Sequence, residues 1–159
     1  MKERIIRHAF IGIIAVVMYC SIPNNLVAQA VYTDANGIAI KGFDAVAYFT
    51  DMKPVQGNKE FLHQWNGATW YFVSADHRDM FKASPEKYAP QYGGYCAYGV
   101  CMKKAKFSTD PKTAWKIVDG KLYLNYNVET QTVWERGTLK ETIENGDKNW
   151  KTLAPEKSK

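Results

Sequence analysis

The chain has 159 residues, a formal net charge of +5 and three cysteines. That length is enough for one domain with a hydrophobic core and too short for two comfortable ones. The charge falls to +3 without residues 1–30, an ordinary solvated surface that gives no reason to expect nucleic acid as a partner.

Residues 1–30 read as a signal peptide. Lys2, Arg4 and Arg7 make a basic start, Ala9 to Ile22 an apolar run, and Ala28-Gln29-Ala30 a small-x-small cleavage site. The apolar run is shorter than the roughly 20 residues that span a bilayer, so no membrane anchor is expected after cleavage before Val31. Cys20 raises a lipid anchor as an alternative, but the bulky Met18-Tyr19 before it does not suit lipoprotein processing. The mature chain is expected to be periplasmic or secreted, with a single domain over 31–153 and a polar, disordered tail over 154–159. Only Cys96 and Cys101 remain in it, and in an oxidising compartment they raise disulfide, metal and reactive thiol together.

Along the mature chain, Val31 to Lys41 reads as an arm carrying the turn Asp34-Ala-Asn-Gly37. Phe43 to Phe49 reads as a strand that Asp51-Met-Lys-Pro54 turns and Gly57 closes. Glu60 to Trp65 and Ala68 to Val73 form a hairpin about Asn66-Gly67, a two-residue turn that fixes the register. Trp65 then pairs with Ala68, His63 with Trp70 and Phe61 with Phe72, and all six share one face. His63 sits among aromatics, either as a packed histidine or as a metal ligand. Ser74 caps a helix to about Ala83, on which His77, Met80 and Phe81 fall on one inward stripe. His77 is there either a hydrogen-bonded core residue or, with Met80, part of a soft donor set. Ser84 caps a short further turn that has Pro85 at its first position.

The stretch Tyr88-Ala-Pro-Gln-Tyr-Gly-Gly-Tyr-Cys-Ala-Tyr98 fits neither a helical nor a strand period, because Pro90 and Gly93-Gly94 interrupt both. It reads as a shaped loop that delivers Cys96 to a chosen place. A helix from Tyr95 to Lys104 is expected next, with Tyr95, Tyr98, Gly99 and Met102 on one face. Cys96 would lie in its first turn, where unpaired N–H groups and the helix dipole lower a thiol pKa. A small residue packed under the tyrosines is the alternative for Cys96. Cys96 and Cys101 would be on the order of 8 Å apart on such a helix, too far for a mutual disulfide. Asp110-Pro111 opens a turn, and a second hairpin follows about Asp119-Gly120 with Trp115, Ile117, Leu122 and Leu124 on the core face. Asn127 caps a helix to Arg136 that Gly137 ends. Thr138 and Glu141 make a capping box for a last helix to about Leu153, which Gly146 could break. The fold class is thus α+β: two hairpins packed with short helices and a C-terminal helical pair.

Gly42-Phe-Asp-Ala-Val-Ala-Tyr-Phe49, Trp70-Tyr-Phe-Val-Ser74, Phe81 with Pro85-Glu-Lys-Tyr88, and Tyr92-Gly-Gly-Tyr-Cys-Ala-Tyr98 together resemble the exported YHS domain family. The resemblance continues through Ala114-Trp115, Val118 to Asn127, and Trp134 to Trp150. The family is defined by sequence pattern, so the resemblance implies a fold more than an activity. Its metal-binding relatives carry cysteines where this chain has Ala47, Val73 and His77. Cys96 matches the Gly-Gly-Tyr-Cys-Ala motif of the exported branch, and Cys101 is an addition. The ligand set this implies is Cys96 and Cys101 with His77, His63 or Met80.

Three functions follow as expectations. The first is a non-enzymatic metal module of the cell envelope, handling copper or, less readily, zinc, since thiolate, imidazole and thioether favour Cu(I). The second is a thiol-dependent enzyme or redox protein with Cys96 as nucleophile, which needs a histidine base in reach. The third is a metal-free domain that binds a small ligand or a protein, with Tyr95 and Tyr98 lining a pocket. The chain has no Cys-x-x-Cys pair, zinc helix, phosphate loop or nucleophile elbow.

Overall fold

The computed structural model describes residues 30–154, and the signal-peptide reading of 1–29 and the tail reading of 155–159 lie outside them. The described chain is a small α+β domain with two antiparallel two-stranded sheets. No helix among the described residues is long and apolar enough to cross a membrane.

The segment after Val31 turns at Asp34, whose carboxylate accepts the N–H groups of Asn36 and Ile38. Ala39 and Ile40 then enter the core completely buried, so this piece belongs to the domain and is more than an arm. Phe43 to Phe49 is not a strand: Phe43 makes one bridge to Gln56, and Ala47–Thr50 forms a short helix, α1. The cause is Asp44, whose Oδ1 accepts the N–H groups of Val46 (2.8 Å) and Ala47 (3.3 Å) and so offers the backbone a helical start.

The first hairpin pairs Asn58–Trp65 (β1) with Ala68–Phe72 (β2). Asn66 and Gly67 both adopt positive φ, as a primed two-residue turn demands. Trp65 faces Ala68 and His63 faces Trp70 as expected, but Phe61 does not pair with Phe72. A bulge lies between Asn58 and Leu62, so Phe72 pairs with Asn58 instead. Three extra residues on β1, Lys59 to Phe61, re-aim what precedes them, which a turn-based register count cannot anticipate.

Ser74 caps Ala75–Ala83 (α2) by accepting the His77 N–H. Phe81 is the buried side chain of that helix, whereas Met80 points outward and is 38% exposed. Pro85–Tyr88 (α3) follows with proline in its first turn and no side-chain cap from Ser84. The expected helix from Tyr95 to Lys104 is reduced to a π-helical turn, Gly99–Lys103, preceded by two α-helical residues. The wide turn ends at Lys104, which adopts a left-handed conformation.

The second hairpin, Trp115–Val118 (β3) with Lys121–Leu124 (β4), has the expected register, Trp115 opposite Leu124 and Ile117 opposite Leu122. It divides the interior. Leu122 and Leu124 face a core cluster built on Trp70, Phe72, Phe81 and Tyr48, while Tyr123 faces a second cluster with Tyr92, Trp134 and Trp150. Asn127 caps Val128–Trp134 (α4) through the Thr130 N–H, and the helix stops two residues short of Arg136. Leu139–Leu153 (α5) lacks the expected capping box, since Thr138 makes no side-chain cap, and it runs unbroken through Gly146. An added Cβ at Gly146 would strike Tyr92 Oη and Cys101 Sγ, so the glycine is there for close packing. Ala154 is buried rather than part of a polar tail, and its carbonyl accepts the Ala30 N–H at 3.0 Å.

Candidate ligand pocket around Cys96

The Gly93-Gly94 pair, both residues at positive φ, turns the chain so that Cys96 sits buried three residues before the π-helical turn. Its N–H donates to the Phe107 carbonyl (3.1 Å), and its own carbonyl accepts the Val100 N–H (3.0 Å). The segment after Lys104 is pulled back over this turn by the Ala105 N–H, which donates to the Gly99 carbonyl, and by the Thr109 hydroxyl, which donates to the Gly94 carbonyl. Gly99 leaves room for the Phe107 ring, which a Cβ there would overlap. The result is a largely apolar pocket of about 470 Å³, lined by Cys96, Tyr98, Lys103, Ala105, Phe107, Ser108, Tyr126 and Thr130. Phe107 and Tyr126 are about half exposed at its rim, while Cys96 is 1% exposed and forms part of its floor.

Asn125 holds the floor in place. Its Oδ1 accepts the Tyr98 N–H at 3.0 Å and lies 3.7 Å from Cys96 Sγ, and the residue is completely buried. Its Nδ2 is among the buried polar atoms that have no partner among the described residues. Burial pushes the Cys96 thiol up from its ordinary pKa, and the backbone N–H groups of Gly99, Tyr126 and Tyr98 offset part of that by favouring the anion. The expected lowering at a helix start is therefore overturned. One π turn carries little dipole, and desolvation outweighs it.

The remaining candidates lie elsewhere. Cys101 points into the second core cluster, its Sγ 3.8 Å from Tyr92 Oη, and burial raises its pKa as well. Both thiols are free. His77 is engaged at both ring nitrogens: Nδ1 lies 2.7 Å from Asp44 Oδ2, and Nε2 lies 3.4 Å from Thr50 Oγ1. His63 packs edge-on against Phe81. Tyr95 packs against Tyr32 and Trp150 and takes no part in the pocket, whereas Tyr98 lines it. Among the described residues, no three His, Cys, Asp or Glu side chains gather into a group that could hold a metal ion. The five donors proposed from sequence are thus not brought together.

Sequence reading missed Asn125, Phe107, Tyr126 and Lys103. Asn125 directly follows β4 in an otherwise apolar run, and a polar residue at such a place is the one local signal that pointed to it. Phe107 reaches Cys96 because the 104–109 segment folds back, Tyr126 because it follows Asn125 at the end of β4, and Lys103 lines the pocket from the π-helical turn. Comparison of the chain with protein-family models, with curated proteins and with solved structures gives no significant match in any of the three.

Proposed function

We propose that this chain is an exported YHS-like domain that binds a small apolar or aromatic molecule in the Cys96 pocket and does no chemistry of its own. The observation that carries this reading is a buried thiol in the floor of a pocket of about 470 Å³ whose walls are Tyr98, Phe107 and Tyr126. Pockets of roughly 300–1,000 Å³ with aromatic walls and few polar groups suit small ligands. A catalytic thiol needs a base within hydrogen-bond reach, and neither His63 nor His77 lines the pocket, His77 being held by Asp44 and Thr50. Lys103, whose ammonium lies 5.8 Å from the Tyr98 ring centroid, would favour a ligand with an anionic end.

Titration with anilinonaphthalene sulfonate, an aromatic anion that fluoresces in apolar sites, tests the reading. Phe107→Ala and Tyr126→Ala, both at exposed positions, should each weaken saturable binding by about tenfold. Bound probe should also slow alkylation of Cys96 by iodoacetamide. Unchanged affinity in both variants would place binding elsewhere and remove the proposal.

A second reading, soft-metal binding at Cys96, draws on the nearby backbone N–H groups of Gly99, Tyr126 and Tyr98, which favour its anion and so offset part of the cost of burial. Competition with a Cu(I) chelator separates the two. Metal binding would be lost in Cys96→Ala and kept in Phe107→Ala, the reverse of what an apolar ligand requires.

A further inference from the structure

A second cleft, of about 600 Å³, opens at the seam between the two core clusters and shares no lining residue with the Cys96 pocket. One wall is the end of the first hairpin, where Trp65 and Trp70 lie with ring centroids 5.8 Å apart. The other carries Tyr92 and Trp150, also 5.8 Å apart. The bend between the walls is fixed by two consecutive left-handed residues, Tyr92 and Gly93 (φ 55° and 60°). Gly93 is required there, because a Cβ would run into the Ala30 carbonyl. Two carboxylates open onto this aromatic space, Glu86 of α3 and Asp147 of α5. The Asp147 side chain is fixed by the Tyr92 hydroxyl, which donates to its Oδ1 at 3.0 Å.

We infer that this cleft is a binding site for a small organic ammonium cation. Aromatic faces attract cations through their quadrupole, tryptophan most strongly, and a flanking carboxylate adds direct attraction. The chain as a whole is basic, at +5, yet this cleft sets two acids against one lysine, Lys151. A neutral sugar fits the lining less well, because stacking needs a broad exposed ring face. Trp70, Tyr92 and Trp150 are each at least nine-tenths buried, so among these four rings the partly buried Trp65 is the one left to meet a compact cation. The inference is independent of what the Cys96 pocket binds.

The test is a titration of the purified protein, followed by intrinsic tryptophan fluorescence and by calorimetry. The probes are choline chloride, its uncharged isostere 3,3-dimethylbutan-1-ol, and cellobiose, with sodium chloride as the ionic-strength control. Choline should give saturable binding at least about tenfold tighter than the isostere, the ratio expected when a cation–π attraction is present in one and absent in the other. Glu86→Gln, at an exposed position, should weaken choline several-fold and leave the weak binding of the isostere unchanged. Trp65→Leu should weaken choline by a similar or larger factor while far-UV circular dichroism stays that of the parent. Equal binding of choline and the isostere, saturable binding of cellobiose alone, or no saturable response to choline would each overturn the inference.

Discussion

A carboxylate removed from water must be surrounded by donors, and Asp44 is completely buried with the N–H groups of Val46, Ala47 and Val73 and the imidazole of His77 directed at its two oxygens. It ties α1, the end of β2 and α2 to one point. Asp44→Ala leaves those donors unmatched and should lower stability by about 3 kcal/mol in urea denaturation, whereas His77→Ala, which removes a single partner at a half-buried site, should lower it by about 1 kcal/mol. His77→Ala therefore reads on stability rather than on ligand binding. Gly146 shows the same primacy of packing over propensity. Alanine would favour α5 by about 1 kcal/mol in isolation. Here its Cβ meets Tyr92 Oη and Cys101 Sγ in the second core cluster, and Gly146→Ala should instead destabilise by about 1–2 kcal/mol, measured by the midpoint of the same transition.

At the scale of elements, the clearest dependence is that of the first hairpin on Gly57. Its N–H donates to the Gly42 carbonyl at 2.9 Å, and a Cβ at this position would lie 2.5 Å from the Tyr71 backbone carbon. A backbone atom cannot rotate away as a side chain does. Gly57→Ala should therefore destabilise by about 2 kcal/mol or more, beyond the fraction of a kcal/mol lost with Gly67→Ala, where a Cβ meets open space and only the positive φ is strained. Comparing the two variants by thermal melting separates close approach from backbone preference. The π-helical turn Gly99–Lys103 makes the complementary point. Its extra width sends Cys101 into the second core cluster while Cys96 stays at the pocket floor, so two cysteines five apart in sequence serve different surroundings.

For the whole molecule, the buried thiols and phenols set the response to alkali. Burial pushes up Cys96, Cys101, Tyr48 and Tyr92, and pushes Tyr123 up to about 12. Each group is then more readily kept neutral in the folded chain than in the unfolded one. The resulting stability is fully present below the unfolded values, about 8.5 for cysteine and about 10 for tyrosine, and is lost as pH rises through the folded ones. Denaturation midpoints should be flat from neutral pH to about 8 and fall steadily above it. A Cys96→Ala, Cys101→Ala double variant should shift the onset of that fall upward toward the tyrosine range. For the same reason, alkylation of Cys96 by iodoacetamide should show a pH midpoint above that of a free cysteine. A midpoint below the ordinary value would mean that the backbone N–H groups outweigh burial.

What the sequence determined by itself was the local chemistry. Asn66-Gly67 and Asp119-Gly120 accept the positive φ that primed turns require, Ser74 and Asn127 offer oxygens to the first turn of a helix, and alternation along Trp115 to Leu124 assigns faces to β3 and β4. These features need only neighbours in the chain, and all of them stand in the structure. Partnerships across long separations were decided by the tertiary fold. Asp44 converted an expected strand into α1, the bulge moved Phe72 from Phe61 to Asn58, and Gly146 was retained for Tyr92, 54 positions before it. The site divides in the same way. Gly93, Gly94 and Cys96 announced a shaped loop, since proline and paired glycines break both periods. Phe107 meets Cys96 through the fold-back of 104–109 by the Ala105 and Thr109 hydrogen bonds, Asn125 meets it from the end of β4, and His77 was drawn instead to a buried carboxylate 33 positions away. Contacts of that kind follow from where whole elements pack, which no local pattern encodes.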